Sequence, residues 1–444
     1  MLDVKTAVDR FKKLKEPIRV ISHLDSDGIT AAAIFSKLMQ LEDKSFVLTI
    51  VKQLNEQIIR ELSYEEYNSI VFTDLGSGQI GMIENYLGDK DIIILDHHKP
   101  QKETTKPNIT QVNPHLQGID GGTQIAGAGV TFLFAREINK EIDNYAHLAI
   151  IGAMGDVQEK GGFTGPNKDI LQIAIKKKKL IIEQMPRIYG AYGRNLSKII
   201  EYGNFKINNV TSNQDASIKF VENLGLNPRA KLYELTEENK EKFYNAIQDN
   251  TEKDIMGPVY ILPNERVDSA FRDIREFSTL LNACGRLDKP EVGIGACLGN
   301  EEDKMEAQHT LRKYKQELMD AITWFNDNKD KDPNITNTKK YAIINAKDRV
   351  IPTIAGTIAS ILSRKPTNEY EIIVSMSRTD SDKTKVSTRR GKNCKMDLRN
   401  MVKDALHNIK NAEFGGHMNA VGILIPSDQE EQLILNFKNI LDKL

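Results

Sequence analysis

Hydrophobic positions in the first 160 residues fall into two alternating patterns. Short runs rich in Ile and Val, at Ile18 to Ile21, Ile70 to Phe72 and Ile92 to Leu95, have the character of buried parallel strands. Between them, residues 30–40, 54–67 and 78–88 repeat apolar side chains every three or four positions, the spacing of helices packed on a sheet. This alternation predicts a doubly wound α/β domain. Helical patterns follow at Gly127 to Asn139 and Asn144 to Gly155. From Lys176 to Asp254 the chain is polar and Lys/Glu-rich without a strand signal, which predicts a helical connector.

A second α/β region then begins, smaller and with a mixed sheet. Strands are expected at Val292 to Leu298, Tyr341 to Asn345, Glu371 to Ser377, Val386 to Arg389 and Val421 to Ile425, with helices at Glu302 to Phe325, Thr353 to Ser363 and Asp397 to Ile409. The organisation expected is a catalytic domain over residues 1–200, a connector over 201–265 and a substrate-binding domain over 266–444, with the active site in the cleft between the two domains.

Composition narrows the class. A chain of 444 residues with 40% hydrophobic and 28% charged side chains has material for more than one core. No run of about eighteen apolar residues occurs, and the start lacks the apolar stretch of a secretory signal. A cytoplasmic protein with no membrane partner is expected. Cys284, Cys297 and Cys394 show neither metal-ligand spacing nor pairing and read as reduced thiols. The net charge of −1 hides a local excess: residues 378–403 carry nine Lys or Arg against three Asp. An anionic partner would be recognised there.

Acidic and imidazole side chains gather where the strands end, the position at which open parallel sheets hold ligands. Ser22-His23-Leu24-Asp25-Ser26-Asp27-Gly28 follows the first strand, Asp74 the second, and Asp96-His97-His98 the third; Asp156 ends an apolar helix. Taken singly, each has an ordinary explanation as a helix cap or polar loop. Taken together, His23, Asp25, Asp27, Asp74, Asp96, His97, His98 and Asp156 offer hard oxygen donors with a few imidazoles, a set suited to Mn²⁺ or Mg²⁺. So many carboxylates in one cleft would repel unless cations neutralised them.

The order His23-x-Asp25-x-Asp27-Gly28, Asp74, Asp96-His97-His98, Asp156 resembles the four motifs of the DHH phosphoesterase superfamily. The resemblance implies two divalent ions, Mn²⁺ preferred and Mg²⁺ possible, one held by His23, Asp25 and Asp74, the other by Asp27, Asp74, His97 and Asp156. It further implies that His98 orients the nucleophile or touches the scissile phosphate, and that Asp96 supports the histidines.

Near the C-terminus, Phe414-Gly415-Gly416-His417-Met418-Asn419-Ala420 resembles the signature of the DHH-associated domain, with Phe414 in place of a glycine. On composition alone the segment is a glycine-rich turn. Paired glycines let backbone amides approach a phosphate. Arg389, Arg390 and Arg378 lie beside strand candidates, and their forked donors match phosphate oxygens. The segment Arg275 to Leu287, including Arg286, resembles archaeal-type RecJ-like single-strand-specific exonucleases. The activity implied is hydrolysis of single-stranded DNA, RNA or both to mononucleotides by a water activated by two metals, in replication or repair. A phosphodiesterase for short oligonucleotides or cyclic dinucleotides is the second reading, and a replication or repair protein valued for its partners is the third.

Overall fold

The computed structural model describes residues 2–203, 205–252, 254–364, 370–379, 382–392 and 394–443, apart from the side chains of Arg364 and His417. Residues 1–311 and 312–444 form two compact units. In the first, strands β1 (Ile18–His23), β2 (Phe46–Val51), β3 (Ser69–Thr73), β4 (Asp91–Leu95) and β5 (Ile109–Val112) make an all-parallel sheet in the order β2-β1-β3-β4-β5. That order is doubly wound, with its switch point between β1 and β3. The sequence pattern missed β2 because, as an edge strand, it is only partly buried.

Helices α1 (Lys5–Phe11), α2 (Ser26–Leu41), α3 (Glu56–Tyr64), α4 (Ile80–Tyr86), α5 (Gly127–Ile138), α6 (Ala146–Gly155) and α7 (Gly165–Lys176) accompany this sheet. Ile59 and Leu62 of α3 and Ile80 and Ile83 of α4 pack with Phe72, Ile92 and Ile94 in one core cluster. Elsewhere Phe11, Phe35 and Phe134 bring α1, α2 and α5 together, with ring centroids 5.7 to 6.4 Å apart.

The polar stretch expected to be helical also contains a strand. β6 (Ile181–Pro186) pairs antiparallel with β7 (Met256–Ile261). Residues 181–184 are exposed on both faces, so no inside–outside alternation marks the strand in the sequence. Between the two strands, α8 (Leu196–Glu201), α9 (Gln214–Asn223) and α10 (Glu237–Asp249) enclose a core of their own that includes Leu196, Ile199, Phe243 and Ile247. Helix α11 (Ile274–Arg286) starts at Asp273, which accepts from the Arg275 amide at 2.8 Å. The strand expected at Val292 to Leu298 is instead helix α12 (Pro290–Cys297). Pro290 presets the first helical turn, and a short apolar run reads equally as strand or helix. Helix α13 (Glu301–Asn328) follows.

The second unit holds a mixed six-stranded sheet in the order β12-β13-β11-β10-β9-β8, from β8 (Ile335–Asn337), β9 (Tyr341–Asn345), β10 (Ile372–Arg378), β11 (Lys383–Arg390), β12 (Glu413–His417) and β13 (Ala420–Pro426). Helices α14 (Pro352–Arg364), α15 (Leu398–Ala405) and α16 (Glu430–Leu441) belong to it. Val374, Met376, Val386, Val421 and Ile423 form its core with Leu398 and Val402 of α15 and Leu433 and Phe437 of α16. The glycine-rich segment is more than a turn: it is strand β12, which runs back along β13. Gly416 has φ 139°, and a Cβ there would overlap the Ala420 carbonyl, so the hairpin requires glycine.

Glu430, at the start of α16, ties this unit together. It is 4% exposed and accepts from Arg378 Nε at 2.9 Å, from Asn345 Nδ2 at 2.9 Å and from Thr384. Burial pushes its carboxyl up, but Arg378, Thr384 and Asn345 outweigh that and hold it below the usual range. A carboxyl depressed on folding contributes stability above its unfolded pKa, about 4.3, and loses it as pH falls through the folded value. Glu430→Gln is therefore expected to cost the second unit about 2 kcal/mol at neutral pH and to flatten its loss of stability in acid. Urea unfolding followed by fluorescence of Trp324, the single tryptophan, measures both.

Candidate metal centre

Each functional side chain is placed by the end of an element. β1 delivers His23, and the chain turns at once into α2. Asp25 caps that helix, accepting from the Gly28 amide at 3.0 Å with one oxygen while the other lies 3.0 Å from His23 Nδ1. Capping and site membership thus coexist in one carboxylate. A Cβ on Gly28 would overlap the His23 carbonyl, so the tight turn needs glycine.

Asp27, in the first turn of α2, accepts from the Gly127 and Ala128 amides at 2.6 and 2.9 Å. Its charge faces the positive end of the α5 dipole. Asp74 follows β3 with φ 61°, a left-handed conformation that costs a non-glycine residue about 1 kcal/mol. Asp156 caps the C-terminus of α6, where the dipole disfavours a carboxylate. Strain and adverse polarity converge on one place.

The eight residues expected from the sequence are brought together here. His23, Asp25 and Asp74 form one group whose ligand atoms lie within 4.8 Å of one another; Asp27, His97 and Asp156 form a second, and Asp74, His97 and His98 a third. His97 Nε2 is 3.3 Å from Asp74, 3.3 Å from Asp156 and 3.6 Å from Asp27. Its Nδ1 lies 2.7 Å from the Gly121 carbonyl, so Nδ1 donates there and Nε2 faces the carboxylates. That nitrogen and both oxygens of Asp74 are buried and have no hydrogen-bond partner.

The electrostatics are those of a cation site. Burial pushes the Asp27 carboxyl well up, and neighbouring Asp74 and Asp156 push it further. Asp156 is raised to about 6, by burial first and then by Asp25 and Asp74. Burial alone would lower His97, yet Asp74, Asp156 and Asp27 hold it well above the usual imidazole range. A set of hard oxygen donors with imidazole nitrogens, once these are deprotonated, fits divalent Mn²⁺ or Mg²⁺.

Asp96 plays a different part. It accepts from the Ser77 amide at 2.8 Å and lies 2.8 Å from His98 Nδ1, so it orients that ring. Burial opposes its ionisation, but His98 and His97 outweigh burial and keep it below the usual carboxylate range.

The sequence reading missed the residues that hold these in turn. Asn113 donates to the His98 carbonyl at 2.8 Å and to Ser77 Oγ at 2.9 Å. Gln158 donates to the Gly121 carbonyl at 2.9 Å and accepts from Asn167 at 2.7 Å. Asn113 directly follows β5, so the rule of strand ends would have found it had that strand been recognised.

Three glycines let backbone approach the cluster. A Cβ on Gly127 would overlap Asp74, one on Gly152 would overlap Asp27, and one on Gly285 would overlap the Leu24 carbonyl. Gly285 sits beside Arg286, the last residue of α11, and Asn282 of the same helix accepts from the Ser26 amide at 3.1 Å. Arg286 is thereby tied through its helix to the segment that carries Asp25.

In the second unit, Arg389 lies opposite Ala420, and Ala420 opposite His417, so the three share one row across β11, β13 and β12. Arg390 is the next residue along β11. The side chain of His417 lies outside the described residues. Arg378 is elsewhere: it pairs with Thr384, five residues along the ladder from Arg389, about 17 Å away, and its guanidinium forks onto Glu430. Its donors serve the core of this unit, a role that only the register reveals.

Among the described residues no helix is long and apolar enough to cross a membrane. Family models match residues 17–153 as the DHH family N-terminal domain and residues 338–443 as the DHHA1 domain. A protein of uncharacterised function from Methanocaldococcus jannaschii is 29% identical over 432 residues, 96% of this chain and 93% of its own. RecJ in complex with Mn²⁺ from Thermus thermophilus matches with a TM-score of 0.61 at 17% identity, over 100% of this chain and 55% of its own, so this chain spans about half of that RecJ. CDC45 from Entamoeba histolytica matches with a TM-score of 0.66 at 12% identity, over 98% and 97%. Likenesses at such identity speak to the fold alone.

The crowding of carboxylates gives Asp74→Asn opposite effects with and without metal. In a chelator the variant is expected to be more stable than the wild type by about 1–2 kcal/mol, because one buried charge is gone. In Mn²⁺ the order reverses. Thermal unfolding in the two buffers, with calorimetric titration of Mn²⁺, reads both outcomes, and equal shifts on adding metal would count against a metal role for Asp74.

Proposed function

The chain belongs to the DHH phosphoesterase superfamily, built from the DHH N-terminal domain and the DHHA1 domain, and from that premise we propose that it is a metal-dependent exonuclease that shortens single-stranded DNA or RNA to mononucleotides. The observation that carries the proposal is Asp74: buried, with both oxygens unpartnered, and a member of two of the three groups of ligand atoms. His23, Asp25 and Asp74 would hold one divalent ion, and Asp27, Asp74, His97 and Asp156 a second. Ions bound there would polarise a phosphoryl oxygen and lower the pKa of water.

The remaining chemistry belongs to the chain. Asp96 takes up His98 Nδ1 and leaves Nε2 as the polar atom available to substrate, on a side chain that is 51% exposed. From that position Nε2 would hydrogen-bond a phosphate oxygen and hold it in register. Gln158 and Asn113 keep the two imidazoles from turning, through Gly121 and through the His98 backbone. Arg389, Arg390, Gly415, Gly416 and His417 would contact substrate phosphates through forked donors and glycine amides, with Arg286 as a further phosphate contact. Arg378 serves the fold of its own unit in this proposal. Replication and repair are the processes such an activity would serve.

The test is Mn²⁺-dependent digestion of one oligonucleotide, in DNA and RNA versions labelled at either end, beside a dinucleotide. Stepwise shortening of the long strand is expected, with Asp74→Ala inactive and His98→Ala slower by about 100-fold. Arg389→Ala is expected to raise KM more than it lowers kcat. Cleavage of the dinucleotide alone would replace the exonuclease by a phosphodiesterase of short substrates.

A further inference from the structure

Helix α6 ends in a turn that glycine usually makes. The Val157 amide donates to the Met154 carbonyl at 3.1 Å and the Gln158 amide to the Ala153 carbonyl at 3.0 Å, the pair of bonds that closes a helix through one residue in the left-handed region. Glycine enters that region without strain. Here the residue is Val157, with φ 60°, and a β-branched side chain in that conformation is a genuine outlier.

The turn itself has a clear purpose. It follows Asp156, whose carboxylate lies 3.3 Å from His97 Nε2, and leads into Gln158, whose amide donates to the Gly121 carbonyl at 2.9 Å. Both flanking side chains are therefore committed to the metal centre. That accounts for the backbone but not for valine, since glycine at position 157 would hold the same turn with less strain. Packing does not account for it either: Val157 is 64% exposed, so the chain covers little of its apolar surface. The loop beyond is open as well, because a Cβ on Gly161 or Gly162 would meet nothing within 4 Å. A strained isopropyl group thus stands uncovered one residue from a candidate metal ligand. Strain of this kind gathers where a site uses it, and what this side chain serves lies outside the chain.

We propose that Val157 packs against the nucleoside of the nucleotide being released, so that the ions hold its phosphate while the isopropyl group holds the apolar surface of its sugar and base. The proposal deepens the exonuclease reading and rests on it. A contact of this kind reads no hydrogen-bond pattern and accepts every base, as an enzyme that shortens a strand one residue at a time requires. It also distinguishes a nucleotide from free phosphate, which reaches the ions but not Val157.

Val157→Gly separates the strain from the contact. In a chelator the variant is expected to melt about 2 °C above the wild type, because the strain is gone. In Mn²⁺ it should lose about fivefold in affinity for a nucleoside 5′-monophosphate and none for inorganic phosphate, and on a single strand its KM should rise about fivefold, more than kcat falls. Val157→Ile, which keeps the branched side chain, should gain no stability and hold KM near the wild-type value. A Val157→Gly variant with wild-type KM and nucleotide affinity, or one that melts lower, would overturn the proposal and leave the exonuclease reading standing. Equal losses for nucleotide and phosphate would place the effect at the ions and overturn it too. A wild type that shortens no strand would remove the reading, and the proposal with it.

Discussion

Neither oxygen of Asp74 has a hydrogen-bond partner, although the carboxylate is buried at the end of β3 beside Asp27, His97 and His23. Burying a polar group without a hydrogen bond is costly in a protein interior, and most of the surrounding architecture makes sense as the means of keeping this one there. A left-handed backbone at Asp74 aims the side chain inward. Glycine at positions 127 and 152 brings helix backbone close without filling the space. What the fold maintains at this point is a concentration of acidic and imidazole side chains that could hold a cation.

That cluster sits at the switch point of the sheet. β1 and β3 are neighbours whose following connections leave in opposite directions, so their carboxyl ends open a crevice that no crossover covers. His23, Asp25 and Asp74 occupy it, and β4 adds Asp96, His97 and His98 from the adjacent position. Behind them stands a layer of amides and hydroxyls, Asn113, Gln158, Asn167 and Ser77, whose hydrogen bonds fix ring tautomers and carboxylate orientation. These side chains are thus held in place by the chain itself, which would lower the ordering cost of binding an ion.

Much of this was legible in the sequence, for identifiable reasons. β1, β3 and β4 are buried on both faces, and such strands advertise themselves as Ile and Val runs whose last residues lie next to the site. The amide layer was not legible, because Asn113 and Gln158 act through backbone carbonyls and carry no periodicity. β6 escaped because exposure on both faces erases the alternation that marks a strand. The α12 segment was misread because an apolar run as short as Val292 to Leu298 has no polar face to give its period. Arg378 ranked behind Arg389 as a phosphate contact in the sequence, and strand register places the two at opposite ends of the same ladder.

The contact of Gly285 with the Leu24 carbonyl joins those of Gly127 and Gly152 in one further respect: the centre is walled by main chain. Side-chain walls can be widened or narrowed by substitution, whereas a wall of peptide groups has a shape common to every sequence that adopts the fold. On the three sides where these glycines lie, substitution finds little adjustable surface next to the cluster. Divergence among proteins of this architecture should therefore accumulate away from these three close approaches, where geometry rather than side-chain choice fixes the shape of the cluster.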